Sequence, residues 1–128
     1  MRLFLLLSLF LSVFSIKANA TNYYWVGGSG NWDDLIHWST VSGGSADQVQ
    51  IPTALDDIFF DANSFSAAGQ SININVPTAL CRSMSWVNVS NNPTMTGTPA
   101  NDLKIYGSLI LSNNMVLDFK GFINFEKN

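Results

Sequence analysis

Three tryptophans, Trp25, Trp32 and Trp38, lie close together in a stretch that also holds Asn31, Asp33, Asp34 and the only histidine, His37. Turned outward, their indoles would make a platform on which sugar rings stack, with Asp33 and Asn31 hydrogen-bonding the hydroxyls. Turned inward, they would pin a core, each burying a large apolar area while its N–H finds a local acceptor. The inward reading is preferred, because the end of a β core needs a bulky cover. A second group, Asp56, Asp57 and Asp61, brackets the apolar run Ile58-Phe59-Phe60. Carboxylates suit Ca2+, a hard cation that takes oxygen ligands, and Asp33 and Asp34 could add to the set. The spacing matches neither an EF-hand loop nor a calcium-binding β-roll, so turn caps and solvated strand ends are the simpler reading. Paired acids also raise glycoside hydrolysis. If extended, Asp56 and Asp57 point to opposite faces, which leaves Asp57 with Asp61 as the only pair of that kind.

The remaining reactive groups lack partners in sequence. His37 sits between Ile36 and Trp38 with no nucleophile motif near it, so it reads as packed rather than catalytic. A single histidine also excludes a histidine-rich zinc site. Gly27-Gly28-Ser29-Gly30 lacks the Lys-Ser/Thr and the helix of a phosphate-binding loop. Cys81 is the only cysteine and cannot form an internal disulfide. With Leu80, Met84 and Trp86 nearby, it reads as a buried, inert thiol. Asn88-Val89-Ser90 spells a glycosylation sequon, and no modification is expected there. No catalytic residue and no cofactor other than the Ca2+ alternative is expected.

Positioning these groups falls to short strands and turns. Tyr23 to Val26 is aromatic and β-branched, which suits a strand, and the glycines after it permit the positive φ of a tight turn. Asp33 to Trp38 fits one helical turn capped by Asn31 or Asp33. Thr40 to Gln50 is a polar loop, and Ile58-Phe59-Phe60 is a strand with acidic ends. Ile72, Ile74 and Val76 then alternate with Ser71, Asn73 and Asn75, the mark of a half-buried strand. Met84 to Val89 reads as another strand, ended by Asn91-Asn92-Pro93. Leu103, Ile105, Leu109 and Leu111 share a parity, as do Met115, Leu117, Phe119, Ile123 and Phe125. Tyr106 to Leu111 and Lys120 to Phe125 suggest a repeat with a fourteen-residue period, and Ser112-Asn113-Asn114 makes a turn between them. Such a pattern suits a β-solenoid or a β-sandwich equally. Phe122 to Asn128 still alternates where the sequence stops. Because natural sheets blunt their edges, the expectation is a longer protein or a partner that covers this edge.

The first residues belong to export rather than to the fold. Met1-Arg2 is followed by an apolar run from Leu3 to Ile16, too short to span a bilayer, and Ala18-Asn19-Ala20 has the small-x-small form of a cleavage site. Residues 1–20 are therefore expected to be a cleaved signal peptide, with no lipoprotein cysteine and no membrane span left after cleavage. The mature part keeps Arg82, Lys104, Lys120 and Lys127 against nine Asp and Glu, so 4 − 9 gives −5. That balance excludes nucleic acid, whose binding rests on Lys/Arg contacts to phosphate, and disfavours anionic membrane surfaces.

Tyr24-Trp25-Val26-Gly27-Gly28-Ser29-Gly30-Asn31-Trp32, with His37-Trp38 and the Pro52…Asp56-Asp57-Ile58-Phe59-Phe60-Asp61 segment, resembles the start of large secreted, adhesin-like surface proteins of Bacteroidetes. Those proteins often carry gliding-motility or type IX secretion sorting modules. More distantly, the stretch is similar to the opening of autotransporter β-helical passengers. The resemblance implies the N-terminal cap and first rungs of a parallel, right-handed β-solenoid, with 21–70 as a Trp/Gly-rich cap region and 71–128 as strand repeats. The sorting module and a long repeat array are absent. The expected function is that of an exported, non-catalytic structural or adhesive module, secreted or at the cell surface, whose partner is an extracellular glycan or a surface protein. Two alternatives stand beside it: a carbohydrate-binding module using exposed Trp25, Trp32 and Trp38 with Asp33, and the front of a β-helical polysaccharide-degrading enzyme.

Overall fold

In the computed structural model, residues 19–127 are described. The expected signal peptide lies outside them except for Asn19 and Ala20. The described chain is all-β, apart from one 3-10 turn at Leu35–His37. Its strands are β1 (Asn22–Trp25), β2 (Gly30–Asn31), β3 (Trp38–Ser39), β4 (Asp57–Phe59), β5 (Ser71–Ile74) and β6 (Thr78–Cys81). They continue as β7 (Met84–Ser85), β8 (Thr94–Gly97), β9 (Asp102–Ile105), β10 (Leu109–Ile110), β11 (Val116–Phe119) and β12 (Phe122–Phe125). No helix among these residues is long and apolar enough to cross a membrane.

The strands form three sheets: a five-stranded sheet in the order β10-β7-β4-β1-β3, a four-stranded sheet β11-β8-β5-β2 and a three-stranded sheet β12-β9-β6. Every pairing is parallel except β1 with β3. Along the chain, the strands from β4 onward visit the first, second and third sheets in rotation. Each circuit lays one strand on each sheet beside its predecessor. An antiparallel sandwich, the second architecture expected from the sequence, does not describe these pairings.

Register explains which side chains meet inside. In the first sheet Tyr23, Ile58, Met84 and Leu109 occupy matched positions. In the second, Ile72, Met95 and Leu117 do so. In the third, Ala79, Leu103 and Ile123 form one row, and Cys81, Ile105 and Phe125 another. Parallel strands stack like residues one above the other, so a strand pattern of period two on each circuit becomes continuous apolar columns. The fourteen-residue repeat does not survive. Tyr106 to Leu111 leads through β10 in the first sheet, whereas Lys120 to Phe125 leads through β12 in the third, so the two segments are not structural equivalents. The Met84 to Val89 strand is also shorter than expected. It stops at Ser85, and Asn88 then takes a left-handed conformation (φ 61°).

Candidate functional site

The Trp/Gly segment turns inward. Trp25, Trp32 and Trp38 are all 0% exposed, which removes them as a sugar-stacking platform. Their rings pack edge to face, Trp25 to Trp38 at 5.0 Å and Trp32 to Trp38 at 5.1 Å between centroids, with Tyr23 joining Trp38 at 5.8 Å. That is the geometry aromatic quadrupoles favour. Trp25 Nε1 donates to Gly28 O at 2.7 Å, and Trp38 Nε1 donates to Trp32 O at 2.8 Å. Gly27 and Gly28, at φ 82° and 76°, make the turn that brings the first of these carbonyls round. A second stack lies below, with Phe60 on Trp86 at 3.9 Å and Phe65 at 6.4 Å from Trp86. Among the described residues, Trp32 Nε1 and Trp86 Nε1 have no hydrogen-bond partner.

His37 belongs to this packing. Its ring lies flat on Trp25 at 4.5 Å, and Nδ1 is 2.6 Å from Val26 O. The ring fits because residue 30 is glycine: a Cβ there would sit 2.0 Å from His37 Nε2. The helical turn is capped by Asp34, whose carboxylate accepts from Ile36 N, and not by Asn31 or Asp33. Asp33 is exposed and is held by Asn75, whose Nδ2 donates to Asp33 Oδ1 at 2.7 Å. It therefore ties neighbouring strands together and has no exposed indole beside it.

The calcium candidates separate into three fasteners. Asp56 is buried, and it accepts from Thr21 N at 2.9 Å, Thr53 N at 2.8 Å and Thr53 Oγ1 at 2.7 Å. Asp57 receives both Nε and NH2 of Arg82 in a bidentate pair. This hydrogen bonding holds its carboxyl below the usual range, burial opposing it and the guanidinium charge assisting. Asp61 accepts from Asn63 N at 2.9 Å and from Ser42 Oγ at 2.6 Å. The donors that a cation would need are thus already committed to chain closure. Among the described residues no group of three or more His, Cys, Asp or Glu side chains could hold a metal ion. Cys81 is fully buried, and its thiol pKa is pushed up to about 12, first by burial and then by the negative charge of Asp57.

What the fold presents outward is different from what the tryptophan spacing suggests. On the outer face of the first sheet, Tyr24 and Phe59 are register partners, half-buried and stacked at 5.0 Å with 20° between planes. Ser85 and then Ile110 continue that row. On the outer face of the second sheet, Asn31, Asn73, Thr96 and Asp118 form a polar row, with Asn73 Nδ2 donating to Asn31 Oδ1 at 3.1 Å. The signal for both rows was present in the alternation, since Tyr24 alternates with Tyr23 and Trp25, and Asn73 with Ile72 and Ile74. Only the register shows which strands stand side by side. A shallow cleft of about 500 Å³ opens between loops, with Val89, Asn91, Asn92 and Asn114 in its wall. Asn91 and Asn92 there have φ of 70° and 48°. The Asn91 amide is spent on Phe65 O at 2.6 Å, which braces the loop. No family model, no curated protein and no solved structure matches this chain.

Proposed function

We propose that the chain is an exported, non-catalytic structural and adhesive module, and that its described part is the cap and first coils of a parallel, right-handed β-solenoid. The observation that supports this most is the matched stacking of β4 to β12 on three sheets. It makes a short rod with long side faces and leaves its acids and histidine occupied in packing and turn closure. Parallel crossovers are right-handed almost without exception, which supports the hand. The leader-like N-terminus and the acidic balance support a place outside the cell, as a secreted or cell-surface protein. The test is expression with the native leader, followed by N-terminal sequencing of the exported material. Beads coated with it are then scored for adhesion to cells and polysaccharides. The reading expects Thr21 at the N-terminus and adhesion above albumin-coated beads. Retention of the leader, or adhesion equal to albumin, would overturn it.

A second reading, glycan binding, draws on Tyr24 and Phe59 rather than on the tryptophans. Half-buried aromatic rings on an outer face beside small polar residues suit the apolar faces of sugars. Calorimetric titration with soluble polysaccharides tests it: binding should disappear in Tyr24→Ala and Phe59→Ala and leave tryptophan fluorescence unmoved. Quenching of fluorescence on binding would place the sugar elsewhere.

A further inference from the structure

The outward row on the first sheet runs Tyr24, Phe59, Ser85, Ile110, and one of its members is short. Ser85 stands between two large apolar side chains, so the row is interrupted over β7. Phe59 is held upright by Tyr24, with 20° between the ring planes, and its other face looks toward Ser85. Ile110, 49% exposed, stands on the far side. Parallel strands lie about 4.8 Å apart, so Phe59 and Ile110 flank a slot about 9.6 Å wide, measured between their strands. Apolar contacts of roughly 4 Å on each side leave room for a single ring standing on edge. A strand laid beyond β10 would lengthen the row and leave the slot as it is.

The floor and one end of the slot carry hydroxyls. Ser85 Oγ accepts from Val87 N at 3.3 Å and keeps its own proton to donate. Ser83 and Ser108, two residues before Ser85 and Ile110, hold their hydroxyl oxygens 3.3 Å apart, and Ser108 N donates to Ser83 Oγ at 3.1 Å. Beside them Arg82 is committed to Asp57 in the bidentate pair, so its charge is already balanced. Apolar walls with a hydroxyl border suit a ring whose faces are C–H and whose rim is hydroxyl. An aromatic side chain would match the walls and bring nothing to the serines. A uronate or sulfated ring would meet Asp57 and a guanidinium already paired, in a chain of acidic balance.

Resting on the glycan-binding reading of Tyr24 and Phe59, we propose that this slot holds one neutral hexopyranose ring. Its two C–H faces lie on Phe59 and Ile110, and its hydroxyl edge meets Ser85, Ser83 and Ser108. The negative face of the Phe59 ring favours the C–H side of a sugar. Tyr24 is a positioning residue: it keeps Phe59 upright and does not itself line the slot. Because the ring enters edge first, its linkage atoms leave outward or along the strands. A single sugar unit therefore suffices for binding.

Amide NMR of the purified, isotope-labelled chain tests this by titration with the methyl glycosides of glucose, galactose and mannose, and with glucuronate. At least one neutral glycoside should shift the amides of Phe59, Ser85 and Ile110 and saturate a single site. Glucuronate should bind at least about tenfold more weakly. Ser85→Phe fills the slot from outside the core and should weaken binding at least about tenfold, with a urea midpoint no lower than wild type. Ile110→Ser, which removes one wall, should weaken it likewise. Unchanged affinity in both variants, with binding still abolished by Phe59→Ala, would overturn the slot and leave the glycan reading standing. Binding of polysaccharide with failure of every single-ring glycoside would do the same. Failure of single rings and polysaccharides alike would overturn both. Glucuronate binding as tightly as the neutral sugars would overturn the neutral class.

Discussion

Trp38→Phe and Trp86→Phe form a matched pair that isolates a single hydrogen bond. Both indoles are fully buried, both pack against Phe60, and both substitutions remove the same atoms. The volume term of the two changes is therefore shared and largely cancels in the comparison. The indole N–H differs: Trp38 donates to Trp32 O at 2.8 Å, while Trp86 has no partner among the described residues. Trp38→Phe loses a bond with a net worth of about 1 kcal/mol and strands a buried carbonyl. Trp86→Phe removes an unsatisfied donor whose burial costs about 1–3 kcal/mol. Trp38→Phe should therefore be the more destabilising by at least about 2 kcal/mol. At a urea m-value of about 2 kcal/mol/M that separates the two midpoints by roughly 1 M. Urea titrations followed by far-UV circular dichroism would measure it. Equal midpoints, or a lower midpoint for Trp86→Phe, would refute the assignment of the penalty to the unpaired indole.

Asp57 should contribute an acid-sensitive increment. Its folded pKa is lowered, mainly by the Arg82 hydrogen bonds, so the stabilisation is present above the ordinary carboxyl value of about 3.9 and is lost as pH falls through the folded value. Because the Arg82 side chain is nearly half exposed, Asp57→Asn should cost less than about 1 kcal/mol at pH ~7, and the gap from wild type should narrow in paired urea titrations as pH falls below the ordinary carboxyl value. Asp56→Ala strands two donors of Thr53 and one of Thr21, and it should cost roughly 2–3 kcal/mol. Calcium or a chelator should leave the wild-type urea midpoint in place, and a calcium-dependent rise would reinstate the acidic residues as ligands. Cys81 should resist a thiol reagent at pH ~8 in the native state and react fully in urea, because burial keeps the thiolate from forming. Rapid labelling without denaturant would contradict its position in the interior column.

The parts of this architecture that could be read from the sequence are those set by local alternation. Ile72 and Ile74 against Ser71 and Asn73 announce a strand with one buried face, and the structure places one there. The inward role of Trp25, Trp32 and Trp38 was legible from their density beside a glycine turn. The fate of the acids was legible only in its local half: Thr53 and Asn63 lie within three residues of Asp56 and Asp61, whereas Thr21, Ser42 and Arg82, which complete the closure of Asp56, Asp61 and Asp57, are distant in sequence. The misplaced repeat has a similar origin. Tyr106 to Leu111 and Lys120 to Phe125 look alike because both strands need an apolar inner face, yet register assigns them to different sheets. The outward pair of Tyr24 and Phe59 likewise exists only after β1 and β4 are brought together.

The tryptophans are distributed unevenly along the stack. All four precede Val87, and β8 to β12 contain none. Intrinsic fluorescence therefore watches the capped end, while circular dichroism watches every sheet. In stacked architectures the outermost layer can open at a lower free energy than the whole. Melting of the β10 to β12 layer would then pass as a loss of ellipticity with the emission maximum unchanged. The two signals together would turn one titration into a reading of where along the stacked strands the chain lets go first.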